Sequence, residues 1–313
     1  MRIRRLFLPD ILLLFVLPIL IALPPADSEA LESRDADKVR QRSLSEMPSD
    51  PPARITGIRL DPAPAVPIQF ASFTITQVNV AAGGANILFD AANEPSIAVD
   101  PAFPNKMAIV WLQFNSTSSN FRMAGWAYTV DGGRSWTFPG VLEPGVFRSD
   151  PVLGFDSQGN FYYSSLHVAG GVFSIDFFKS WDGGATWGEK IPAYGGDKQW
   201  FAVDRTGGQG NGNIYHAWSQ AAVLCCEDST FNRSVDGGTR FSYPQAMPAL
   251  PVWGTLTVDP SGALYVAGTD IEDHSLFYVV KSVNAQNPSV DPVFDFYSTV
   301  DMGGSLSCLL YTS

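Results

Sequence analysis

The sequence predicts an all-β fold, a β-propeller of four-stranded blades, and three observations predict it. A turn motif recurs along the chain: Thr129-Val130-Asp131-Gly132-Gly133-Arg134-Ser135-Trp136, then Ser180–Trp187, then Ser234–Phe241, with Ser282-Val283-Asn284 as a decayed fourth copy. Residues Asp131, Asp182, Asp236 and Asn284 follow one another at spacings of 51, 54 and 48. A second marker runs in the same phase, an apolar stretch ending in aspartate: Ile97–Asp100, Leu153–Asp156, Phe201–Asp204 and Leu256–Asp259. The third observation is composition, with 28 glycines and 23 prolines in 313 residues, as a turn-rich β protein requires. A period near fifty with several short strands per unit marks propeller blades.

Each element follows in order. Residues 1–30 read as an export signal: Arg2, Arg4 and Arg5, then the apolar run Ile11–Leu23, then small residues at Ser28-Glu29-Ala30. That places the protein in the secreted, periplasmic or cell-surface space, with no membrane insertion beyond an N-terminal anchor. Residues 31–65 are charged, then proline-rich, and read as a disordered linker. The propeller occupies 66–313. Phe70–Val80 and Asn86–Phe89 are strand candidates ahead of the first blade. The blades begin near Glu94, Asp150, Asp197 and Trp253, and Asp291–Gly304 reads as the lead-in to a fifth. In each repeated turn, Asp-Gly supplies a carboxylate that bonds its own backbone and a residue free to adopt φ > 0. The closing Trp136 or Trp187 is an apolar plug beneath it.

These turns resemble the Asp box, or BNR repeat, of the sialidase superfamily, with full matches at 129–136 and 180–187 and a partial one at 234–241. The resemblance covers about residues 90–300. It implies that Asp131, Gly133, Trp136, Asp182, Gly184, Trp187, Asp236 and Gly238 are structural, on the face away from any active site. It also implies a six-bladed ring, so the chain given is expected to be C-terminally incomplete. Sialidases of this superfamily bind the substrate carboxylate with three arginines and use a Tyr–Glu pair and an aspartate. After residue 60 this chain has six arginines, and only Arg148 falls where such a site would lie. The catalytic set of an exo-sialidase-like glycoside hydrolase is therefore incomplete in this segment.

A net charge of −11 disfavours nucleic acid as a partner, since phosphate binding wants a basic patch. Three cysteines, Cys225, Cys226 and Cys308, have no metal-binding spacing and suggest no disulfide framework. The sequons at Asn115 and Asn232 are read as incidental.

Propeller topology sorts residues by face. The repeated turns share one face; the loops after the second strand of each blade and the lead-ins to the first share the other. That second, axial face collects Glu94, Asp150, Asp197, Lys198, Trp200 and Trp253, with Arg148, His167 and His274 beside them. Glu94 and Asp150 occupy one repeat position and are the expected acid/base carboxylates. Trp200 and Trp253 suit stacking on a sugar ring. Arg148 would orient an anionic group, and Asp197, Lys198, His167 and His274 would contact substrate. His216 reads as a core residue. No metal ligand set or cofactor is expected, although the oxygen-rich face would suit calcium. The expected function is glycan binding, with possible hydrolysis, at the axial face. The alternative is a non-catalytic extracellular scaffold or adhesion propeller that binds protein.

Overall fold

The computed structural model describes residues 68–70, 72–219 and 226–303. The expected export signal and the whole expected linker lie outside the described residues, as do Cys225 and Cys308.

A short hairpin comes first, β1 (Ile68–Phe70) against β2 (Phe73–Ile75). Four antiparallel meander sheets follow. The first is β3 (Ala92–Val99), β4 (Met107–Phe114), β5 (Arg122–Thr129) and β6 (Thr137–Val141). The second is β7 (Arg148–Phe155), β8 (Phe161–Ala169), β9 (Val172–Ser180) and β10 (Ile191–Pro192). The third is β11 (Trp200–Val203), β12 (Ile214–Ala217) and β13 (Phe231–Ser234), with a single Phe231–Gln245 bridge in the outer position. The fourth is β14 (Val252–Val258), β15 (Leu264–Thr269), β16 (Phe277–Ser282) and β17 (Phe296–Val300). Their first strands pack in sequence order, β3 on β7, β7 on β11 and β11 on β14, so the sheets are successive propeller blades.

Three apolar layers fill the spaces between blades. Ala98, Val110 and Ala124 meet Leu153, Phe161 and Phe178. Phe177 and Tyr162 meet Phe201, Ile214 and Phe241. Tyr215 and Phe231 meet Leu256, Leu264 and Val280. Each fully buried Val, Leu, Ile or Phe side chain here contributes about 1.5–3 kcal/mol. Gly154 is needed at the second interface, since a Cβ there would sit 2.6 Å from the Phe201 ring.

The repeated turns occupy equivalent positions between the third and fourth strands. A hydroxyl donates to each acid or amide oxygen: Thr129 to Asp131 at 2.7 Å, Ser180 to Asp182 at 2.8 Å, Ser234 to Asp236 at 2.8 Å and Ser282 to Asn284 at 3.0 Å. Asp131 and Asp182 also accept from the amide and hydroxyl of the residue four positions on. At Asp236 the guanidinium of Arg240 replaces that hydroxyl. The turns also join the blades. Trp126 Nε1 donates to the Gly184 carbonyl at 3.1 Å, and Lys179 Nζ to the Gly237 carbonyl at 3.1 Å.

Three expectations are corrected. Phe70–Val80 is not one strand: the chain turns back at residue 72 to pair β2 with β1, and Val80 bridges only Asn86. Asp291–Gly304 does not open a fifth blade. Its β17 pairs with β16 as the outer strand of the fourth, after a longer return from Asn284 than from Asp131. Cys226 is disulfide-bonded, so bare cysteine count understated the cross-linking.

Candidate functional site

One backbone position sets the axial face. In blades one, two and four the first strand slips register against the second, between Asn93 and Ser96, Ser149 and Val152, and Val252 and Thr255. The bulged residue is left-handed: Glu94 (φ 49), Asp150 (φ 46) and Trp253 (φ 50). Blade three places Lys198 (φ 51) at the same offset, six residues before Asp204. A left-handed backbone at a non-glycine residue carries strain on the order of 1–3 kcal/mol and persists only where its surroundings hold it. Here the neighbouring blade does so. The Lys198 amide donates to Asp150 Oδ2 at 2.8 Å, and the Trp253 amide donates to Ser219 Oγ at 2.8 Å.

These four side chains organise the site. Lys198 Nζ donates to Asp150 Oδ1 at 2.8 Å and lies 3.8 Å from Glu94 Oε1. One ammonium therefore bridges carboxylates from two other blades. Asp150 is buried, while the Glu94 side chain is 40% exposed. Gln199 donates to the Asp150 carbonyl and locks the bulge. Beside this cluster, Trp200 and Trp253 are both partly exposed and line an open cleft of about 360 Å³ with Phe277 and the backbone of Gly254 and Gly268. His274 meets the Trp253 ring edge-on, with centroids 5.0 Å apart. Gly254 is required at this bulge, because any Cβ would collide with the Ala267 carbonyl.

The remaining expected residues lie elsewhere. Arg148 is fully buried; its guanidinium is held by Asp176 at 2.8 Å and by Glu143, and stacks over Phe178 at 5.1 Å. It has no open face for an anion. His167 belongs to the same network, with Nδ1 3.1 Å from Asp176 Oδ2. Burial pushes the Asp176 carboxyl up, but the His167 hydrogen bond and the Arg148 charge outweigh it and leave it below its ordinary value. Asp197 is buried, and its carbonyl accepts from the Ser219 amide. His216 is a core residue: burial pushes it down to about 3, and Nδ1 bonds Asn232 at 3.1 Å. Asn232 is itself fully buried, so its sequon is closed in the folded chain. Among the described residues no three His, Cys, Asp or Glu side chains converge where a metal ion would sit.

Sequence reasoning paired Glu94 with Asp150 but missed that Lys198 and Trp253 complete the set. The signal was present, since each stands six residues before the aspartate that ends its strand.

No family model matches the chain, and no curated protein matches it. Among solved structures it is similar to a protein of unknown function from Dyadobacter fermentans, at 16% identity and TM-score 0.43, covering 69% of this chain and 70% of that one. It is similar to a GH74 enzyme from Niastella koreensis, at 16% identity and TM-score 0.42, covering 68% and 30%. It is also similar to a NanB sialidase variant from Streptococcus pneumoniae, at 13% identity and TM-score 0.41, covering 80% and 46%. This chain thus spans under half the length of the last two proteins. The likenesses are distant and are to β-propeller proteins, glycoside hydrolases among them.

Proposed function

We propose that this protein is an exported, sialidase-like Asp-box propeller that binds a glycan at its axial face. The observation that carries this reading is the pair of exposed indoles, Trp200 and Trp253, lining one cleft beside the Glu94–Lys198–Asp150 cluster. Indole faces stack on the apolar face of a sugar ring, and fixed carboxylate and ammonium groups order its hydroxyls. The left-handed backbone beneath four of these groups is the kind of local strain that collects at ligand sites.

A second reading, hydrolysis, is favoured by the two carboxylates that share one ammonium. Glu94 is the more exposed and is suited to the acid role, with Asp150 held as its partner. Titration of the full chain against a panel of oligosaccharides, followed by tryptophan fluorescence, tests the binding reading. Trp200→Ala is expected to weaken binding by about tenfold, in line with loss of an aromatic contact. No binding to any glycan would sink the reading and favour a protein-binding scaffold. Turnover of fluorogenic glycosides that survives both Glu94→Gln and Asp150→Asn would remove these residues from the chemistry.

A further inference from the structure

We infer that the cleft sorts glycans by charge: it takes rings without acidic groups, and an amino substituent on the ring strengthens binding. This rests on the cleft being a glycan site. Sequence position put two cations near the axial face, and both are occupied within the fold. Arg148 is enclosed by Asp176 and Glu143, and Lys198 is engaged by Asp150 with Glu94 close by. Neither offers the open, bidentate fork by which carboxylates and sulfates are recognised.

The loop beside the cleft carries the opposite sign. Asp270, Glu272 and Asp273 lie on the loop between β15 and β16, which also sets His274 against Trp253. Glu272 is exposed, and among the described residues its carboxylate makes no ion pair. Stacking on an indole uses only the apolar face of a ring, which glucose, glucosamine and glucuronic acid share. The discriminating force is therefore the field of these acids, which repels a ring carboxylate and attracts a ring ammonium.

The test titrates the full chain with matched β-1,4-linked tetrasaccharides of glucosamine, glucose and glucuronic acid, at mildly acidic pH and at low and high salt. A glycan array of neutral, amino and acidic members runs alongside. The expected order is glucosamine, then glucose, then glucuronic acid, with steps of roughly 3- to 10-fold that shrink as salt rises. Glu272→Gln is expected to narrow the glucosamine advantage and leave the glucose affinity unchanged. Preference for the glucuronic series, array signal confined to acidic glycans, or an order indifferent to both salt and Glu272→Gln would overturn the charge inference while the glycan site stands. A blank array together with three silent titrations would overturn the glycan reading and this inference with it.

Discussion

The two faces of this propeller use the same repeat in opposite ways. On the turn face, Asp131, Asp182 and Asp236 hold one position with one chemistry, and the same hydroxyl-to-carboxylate bond closes every copy. On the axial face the repeated feature is the backbone, a left-handed residue at one position of each blade, while the side chain changes from Glu94 to Asp150 to Lys198 to Trp253. Repetition of chemistry marks what holds each blade together. Repetition of a strained backbone with varied chemistry marks what the blades present.

The largest expected effect is on the turn face. Asp182→Ala removes the acceptor for Ser180 and for the amide and hydroxyl of Thr186, in a turn that also takes the Trp126 bond from the first blade. Chemical unfolding is expected to show a loss of about 2 kcal/mol, with ligand affinity of the folded fraction unchanged. A variant that keeps its stability but loses affinity would break the division between the faces.

Acidity sharpens the same comparison. Burial pushes the Asp182 and Asp236 carboxyls up, but their hydrogen bonds outweigh it and hold both below the ordinary 3.8. Their contribution is present above pH 4 and lost as pH falls through the lowered folded values. His216 acts over a higher window. Burial pushes it from 6.5 down to about 3, so the unfolded chain takes up a proton first, and stability declines as pH drops below 6.5 toward 3. His216→Gln is expected to flatten unfolding midpoints between pH 6.5 and 4 and leave the steeper loss below pH 4. A wild-type midpoint that is constant from pH 7 to pH 4 would contradict the buried, neutral histidine.

How much of this was legible in the sequence follows from how local each signal is. The turns were readable because Ser180, Asp182, Gly184 and Thr186 lie within one octapeptide and repeat at a fixed period. The face assignment followed from topology, which the period implies. The closure of Arg148 was not readable, because its partner Asp176 is 28 residues away across the sheet and Glu143 reaches it from a preceding loop. The place of β17 was missed because a longer return from Asn284 displaced it from the expected phase. Topology put Lys198 and Trp253 on the axial face as lead-ins to first strands. Their shared backbone position went unnoticed because nothing in their chemistry is alike.

The smallest effect probes the strain itself. Glu94→Gly replaces a left-handed, partly exposed glutamate with the residue that adopts φ > 0 freely. Relief of strain offsets the lost contact with Lys198 and the added freedom of the unfolded chain, so the net change is expected to be a gain below about 1 kcal/mol, with weaker glycan binding. A clear loss of stability with unchanged binding would make Glu94 a structural residue and blur the contrast between the faces.

Two tryptophans allow the central claim to be measured most directly. Trp181 is 66% exposed on the turn face, and Trp253 is 36% exposed at the axial cleft. If exposure alone governed binding, Trp181 would matter more. Calorimetric titration of the tightest glycan from the panel against Trp181→Ala and Trp253→Ala separates the two. The axial site predicts unchanged affinity for Trp181→Ala and at least a tenfold loss for Trp253→Ala; the reverse pattern would contradict it.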